Sequence, residues 1–241
     1  DAAFGIAPSP EQLFRYAEVL NLRITDVPLS DSGYRKLASG VCELFLDVAK
    51  VGPSYQPGHA HADTLSFELH VDGRPLIVDT GTSTYEVNKI RFHERSSRAH
   101  NTVTINDENS SEVWAGHRVG RRAEVKIVKD EPTHVIASHD GYLKRFGAWH
   151  TRDVSISESG VTIMDDIQNR EGIAYFHFVP ETELNLQGDE VTGNGFTIVF
   201  QNSSTVELKS SLYAPEFNKQ IENLKLQVSF QGKLTTRIII Q

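Results

Sequence analysis

A single cysteine, Cys42, stands among 241 residues, which excludes an intrachain disulfide framework and any cysteine-rich zinc site. It leaves the compartment open, because many secreted bacterial proteins also lack disulfides. No apolar run approaches the ~18 residues of a membrane span, so a transmembrane protein is excluded. Nor does a basic stretch precede an apolar one at the start, and no signal peptide is read there. The chain opens on Asp1 rather than Met, from which a processed product or a piece of something longer is expected. Basic charge is scarce: 24 Lys and Arg stand against 32 Asp and Glu, for a net charge of −8. That balance argues against nucleic acid as a partner. No internal repeat or linker is visible, and the turns at Gly188 and Gly193-Asn194-Gly195 precede no helix, so they form no phosphate loop.

What remains is a length suited to one large domain, or one domain with a small appendage, able to bury roughly 70–75% of its unfolded surface. Helical signals are confined to the start, where Ser9-Pro10-Glu11-Gln12 offers an N-cap, a proline at the first helical position and a capping-box glutamine before Leu13, Phe14, Ala17 and Leu20. From about Tyr34 onward the texture changes to short alternating segments punctuated by Gly, Asn and Asp. Strands are predicted at 34–38, 41–50, 65–71, 75–79, 101–106, 122–129, 134–138, 148–157, 160–165, 173–179, 196–200, 205–212, 224–230 and 234–240. Many short strands with one short N-terminal helix mean an all-β fold, a large antiparallel β-sandwich. The segment from Thr80 to Ala99 is the longest without a clear period, and such loops inside compact domains tend to be functional.

Asp72-Gly73 between two alternating runs predicts a hairpin with a two-residue turn, pairing Val71 with Arg74, Phe67 with Val78 and Ser66 with Asp79. Leu65, Phe67, Leu69, Val71, Leu76 and Val78 then share the core face, with Ile77 and Asp79 on the other. Asp79 falls at the open end, where the chain arrives through Gly58-His59-Ala60-His61-Ala62-Asp63. His59 and His61 are two apart and project from the same side of an extended chain.

Imidazole and carboxylate make the usual zinc ligand set, and His61, Asp79 and His100 form a coherent trio. Their gaps of 18 and 39 residues do not separate a metal site from a polar rim held by hydrogen bonds. A rival pattern overlaps: His61-Ala62-Asp63 with a later histidine is the two-histidine, one-carboxylate arrangement of an iron oxygenase. For that class His100 follows early, and no basic group is placed for a co-substrate. His70, His134, His139, His150 and His177 read as ordinary face residues of strands, and Trp114 and Trp149 as core or as sugar-stacking rings. Charge is uneven: six arginines against four acids make Arg91–Arg122 a +2 segment in an acidic chain. It is either a pair of solvated loops or a local anion site.

Several motifs in order resemble the C-terminal sandwich of the heparinase II/III family: Gly58-His59-Ala60-His61-Ala62-Asp63 through Leu69, Val78-Asp79-Thr80-Gly81-Thr82, Arg95-Ser96-Ser97-Arg98-Ala99-His100-Asn101-Thr102, and Glu112-Val113-Trp114 to Arg121-Arg122-Ala123. The match is detailed over 32–123, and the later part fits in texture only.

The resemblance implies a polysaccharide lyase that cleaves uronic-acid-containing glycans, heparan-like or another acidic polysaccharide, by β-elimination in the periplasm or outside the cell. By motif position it implies that His59 is the catalytic histidine of the sandwich, that His61, Asp79 and His100 bind one zinc ion in an organising role, and that Arg95 and Arg98 meet the substrate's acidic groups. Family members carry an N-terminal α-helical toroid that supplies a catalytic tyrosine, and nothing here matches it. Residues 1–30 are therefore expected to be a helical lead-in from that missing partner domain and 31–241 the sandwich. The chain would then be half an active site, inactive or feeble alone. The alternative is a non-catalytic sandwich that binds acidic glycans or serves structure only.

Overall fold

The computed structural model describes residues 3–23, 25 and 29–241. The expected boundary at residue 30 adjoins residues 24 and 26–28, which lie outside the described residues. Helix α1 (Pro10–Val19) starts as the sequence predicts: Ser9 Oγ accepts the Gln12 N–H, and Gln12 Oε1 accepts the Ser9 N–H at 2.8 Å. None of its residues is buried, and Leu13 and Phe14 stand exposed. No helix among the described residues is long and apolar enough to cross a membrane.

Two antiparallel sheets form the sandwich. The first contains β1 (Tyr34–Ser39), β2 (Cys42–Asp47), β3 (Phe67–Val71) and β4 (Arg74–Ile77) in sequence order. Helix α2 (Lys89–Glu94) follows, then β5 (Val103–Ile105) and a small ribbon of β6 (Val113–Trp114) with β7 (Arg118–Val119). The nine-stranded second sheet takes β5 and the remaining strands: β8 (Val125–Glu131), β9 (His134–His139), β10 (His150–Ser157), β11 (Gly160–His177), β12 (Asn185–Gln187), β13 (Glu190–Gly193), β14 (Phe196–Tyr213) and β15 (Ile221–Ile240). Its order is β12-β13-β14-β15-β11-β10-β9-β8, with β5 on β11 and the short helix α3 (Leu143–Phe146) between β9 and β10. Alternate residues of both sheets meet in one core, Leu44, Leu46, Phe67 and Leu69 from the first with Val154, Ile163, Phe176 and Val228 from the second. The Phe67 and Phe176 rings meet edge to face at 6.1 Å, and truncating such a ring costs about 3–5 kcal/mol.

The sequence reading misses the short strands β6, β7, β12 and β13 and the helices α2 and α3, and it departs in two further details. The predicted pairs 160–165 and 173–179, 196–200 and 205–212, and 224–230 and 234–240 are single strands, β11, β14 and β15. The alternation divides each in two because polar residues interrupt it where the ladder bulges, between Asp166 and Glu171 and between Gln201 and Thr205. Gly232 adopts φ +71° there, and a Cβ on it would lie 2.7 Å from the Gln168 carbonyl oxygen. In the hairpin, Asp72 and Gly73 both take positive φ, as a type I′ turn requires. A bulge between Leu69 and His70 then pairs Leu69 with Ile77, so Ile77 enters the core and Leu76 is only partly buried. The predicted pairings of Phe67 with Val78 and Ser66 with Asp79 are thereby replaced.

Candidate active site and metal centre

The loop from β2 to β3 and the turn before β5 are zipped together by side chains. Ser97 Oγ donates to the Ala62 carbonyl at 2.6 Å and Thr102 Oγ1 to the Thr64 carbonyl at 2.9 Å. Asn101 Nδ2 reaches the carbonyls of Phe67 and Val78, while its Oδ1 accepts the His177 N–H. Leu65 sits in this loop at φ +61°, a left-handed conformation that costs a non-glycine residue about 1–2 kcal/mol. It is held there by its N–H on the Asp47 carbonyl and by Arg152 on its own carbonyl. Strain fixed by surrounding contacts is characteristic of functional loops.

This packing brings His61, Asp79 and His100 to one cavity of about 270 Å³, together with Asp47, Asp63 and Glu68. One ligand atom each from His61, Asp63 and His100 lies within 4.8 Å of the others. Asp79 instead faces His100 Nδ1 directly and accepts the Gly81 N–H at 2.8 Å. His100 is buried, and its Nε2 has no hydrogen-bond partner among the described residues. Arg91, also buried, donates from Nη1 to His61 Nε2 at 3.1 Å.

The electrostatics reflect four carboxylates crowded with little positive charge. Burial pushes Asp47 up to about 7, helped by Asp63, and pushes Glu68 up to about 7, helped by Asp79. Asp63 is raised chiefly by burial as well, although His100 opposes the shift. Asp79 moves the other way: burial would raise it, but His100 and the Gly81 N–H together hold it below the ordinary range. His100 is its counterpart, raised to about 9 against the cost of burial by Asp79, Asp63 and Asp47. His61 is kept well below its usual value by burial and by the neighbouring His100 and Arg91 cations. Two imidazoles, an orphaned buried ring nitrogen and an excess of carboxylates fit a bound cation.

His59 lies outside this cavity and is exposed. The chain turns at Gly58-His59 instead of running as an extended strand, and His59 Nδ1 lies 3.1 Å from the Tyr85 hydroxyl. The Arg91 guanidinium sits over the Tyr85 ring, 4.7 Å from its centroid. One arginine thus touches both the His59–Tyr85 pair and His61. Burial raises the Tyr85 phenol, with Arg91 opposing and Glu94 reinforcing.

The two arginines expected to meet the substrate differ in their surroundings. Arg95 is 1% exposed and donates to the carbonyls of Ala60, Trp114 and Arg118. Its fork braces the loops, which corrects the expectation that it reaches a glycan. Arg98 is half-exposed and bonds the side chain and carbonyl of Asp107. Tyr85, Arg91 and the crowding of Asp47 and Glu68 carry no sequence signal of their own, while Asp63 was visible only in the iron-type pattern. His139, His150 and His177, read as face residues, are fully buried.

A family model described as "Heparinase II/III-like, C-terminal" matches residues 24–241. The chain belongs to this family. Among solved structures, the heparan sulfate lyase HepC of Pedobacter heparinus aligns with a TM-score of 0.71 at 15% identity, over 96% of this chain and 41% of its own. A heparinase III gene product aligns at 0.67 and 14% identity, over 93% and 38%, and another heparinase III at 0.65 and 18%, over 83% and 33%. At these identities the likeness shows the sandwich fold of the heparinase C-terminal region. The chain spans about two fifths of HepC's length. No curated protein sequence matches it significantly.

Proposed function

We propose that this sandwich is the C-terminal part of a zinc-containing lyase that cleaves uronic-acid-containing glycans by β-elimination, in the periplasm or outside the cell. Residues 1–30 would lead in from an N-terminal α-toroid that supplies the rest of the site. The observation that carries the reading is the exposed His59 beside the Tyr85 hydroxyl, two residues from a buried histidine–carboxylate centre.

In the elimination a base takes the C5 proton of the uronate, and the C5–H electrons form the C4–C5 double bond. The C4–O bond breaks, and its oxygen leaves with a proton from an acid. Stabilising the charge that develops on the uronate carboxylate supplies much of the rate. His59 faces the sugar as a donor or acceptor of protons, and Tyr85 fixes the orientation of its ring. Arg91, stacked on Tyr85 and bonded to His61, couples this pair to the buried centre.

His61, Asp79 and His100 would hold the zinc, with Asp63 beside them, and would supply the imidazole and carboxylate donors usual for this ion. Bound there, the ion would supply charge that offsets the carboxylates and would hold the loop carrying His59. Elimination needs no hydroxide nucleophile, which suits an organising role. The test is His59→Ala in the full-length protein, followed by the ultraviolet absorbance of the unsaturated uronate product. Loss of product with folding intact is expected; retained activity removes His59 from the mechanism, and glycan binding without product from the wild type would favour a binding module.

A further inference from the structure

A chain of buried polar side chains runs across β9, β10 and β11 of the second sheet. Gly141 N–H bonds to His139 Nδ1, His139 Nε2 meets His150 Nδ1 at 3.1 Å, and His150 Nε2 meets Asp165 Oδ1 at 2.7 Å. Arg152 closes the chain with Nε and Nη2 on the two Asp165 oxygens, at 2.8 and 3.1 Å. His139, His150 and Arg152 are 0% exposed, and Asp165 is 1% exposed. Buried charge networks of this kind are often no more stable than apolar packing, so stability alone does not account for one. What they supply is fixed geometry.

That geometry ends on the metal centre. The remaining nitrogen, Arg152 Nη1, lies 2.6 Å from the carbonyl oxygens of both Leu65 and Asn101. Leu65 lies two residues after Asp63, in the strained turn, and Asn101 directly follows His100. The other clasps between these loops, the Arg95 fork on the Ala60 carbonyl and the hydroxyls of Ser97 and Thr102, all belong to the loops themselves. Arg152 belongs to β10 on the opposite sheet, so it refers both loops to one rigid strand.

We propose that Arg152 is a positioning residue for the metal centre, its Nη1 setting the spacing between the loop that carries His61 and Asp63 and the turn that carries His100. The proposal rests on the metal reading above. A lysine cannot replace the guanidinium, because it lacks the planar fork that serves a carboxylate and two carbonyls at once.

The experiment compares the wild-type chain with Arg152→Lys and with the paired change Arg152→Met and Asp165→Asn, which removes both buried charges. Zinc affinity is measured by competition with a chromophoric chelator, the Co²⁺-loaded absorption spectrum reports ligand geometry, and thermal unfolding is followed with and without zinc. Both variants are expected to bind zinc about 10–100-fold more weakly, the effect of losing a group that orients metal ligands, with an altered Co²⁺ spectrum and a smaller zinc-induced rise in unfolding temperature. Unchanged affinity and spectrum overturn the proposal. So does a full zinc-induced rise in a destabilised variant, which would show a structural role only. A wild-type chain that binds no zinc removes the metal reading and the proposal with it.

Discussion

His59 Nδ1 and the Tyr85 hydroxyl lie 3.1 Å apart although 26 residues separate them in sequence. Tyr85 is 38% exposed and packs on Phe217 and under Arg91, so it is held from behind and open in front. If this phenol orients His59, Tyr85→Phe in the full-length protein removes one hydrogen bond, worth about 1 kcal/mol. The expected result is a fall in kcat of about fivefold to tenfold with little change in unfolding temperature. Initial rates of unsaturated-uronate formation check it, and an unchanged kcat would separate Tyr85 from His59.

The two arginines at positions 95 and 98 are expected to behave oppositely on substitution. Arg95→Ala leaves three carbonyls without a charged donor in a buried site, and a loss above about 3 kcal/mol is expected. Arg98→Ala removes a partly exposed pair with Asp107 and should cost under about 1 kcal/mol. Denaturant unfolding of the two variants distinguishes a brace from a surface group.

His177 is fully buried, and burial, with Lys225 nearby, lowers it to about 3. Its unfolded value is about 6.5. The unfolded chain therefore takes up a proton between these values while the folded chain does not, and stability falls as pH drops below about 6.5. At pH 5 the loss from this group is roughly 2 kcal/mol. His177→Gln should flatten the slope of unfolding free energy between pH 7 and pH 5 by that amount. An unaltered slope would mean His177 is protonated in the fold.

Much of this was legible in the chain. The Ser9–Gln12 capping box, the Asp72-Gly73 turn and the alternation of β2, β3 and β10 are local signals, and local signals survive folding. Hairpin geometry brought Asp79 and His61 to one rim, while His100 joined them through ligand chemistry and the family motifs, and His59, expected beside His61, turned outward. What was hidden depends on tertiary packing. A bulge at Leu69–His70 turned Ile77 inward, and aligned bulges made one strand of two predicted ones. The burial of Arg95 and the approach of Tyr85 to His59 depend on how the 80–120 region folds back over the rim, which no periodicity records.

The metal content of the purified chain, wild type beside His100→Ala and without added metal, tests the account most directly. About one zinc per chain, lost in the variant, is the predicted result, since His100 offers the buried nitrogen that lacks a partner. A well-folded wild type with no metal would contradict it, and iron in place of zinc would turn the site toward oxygenase chemistry.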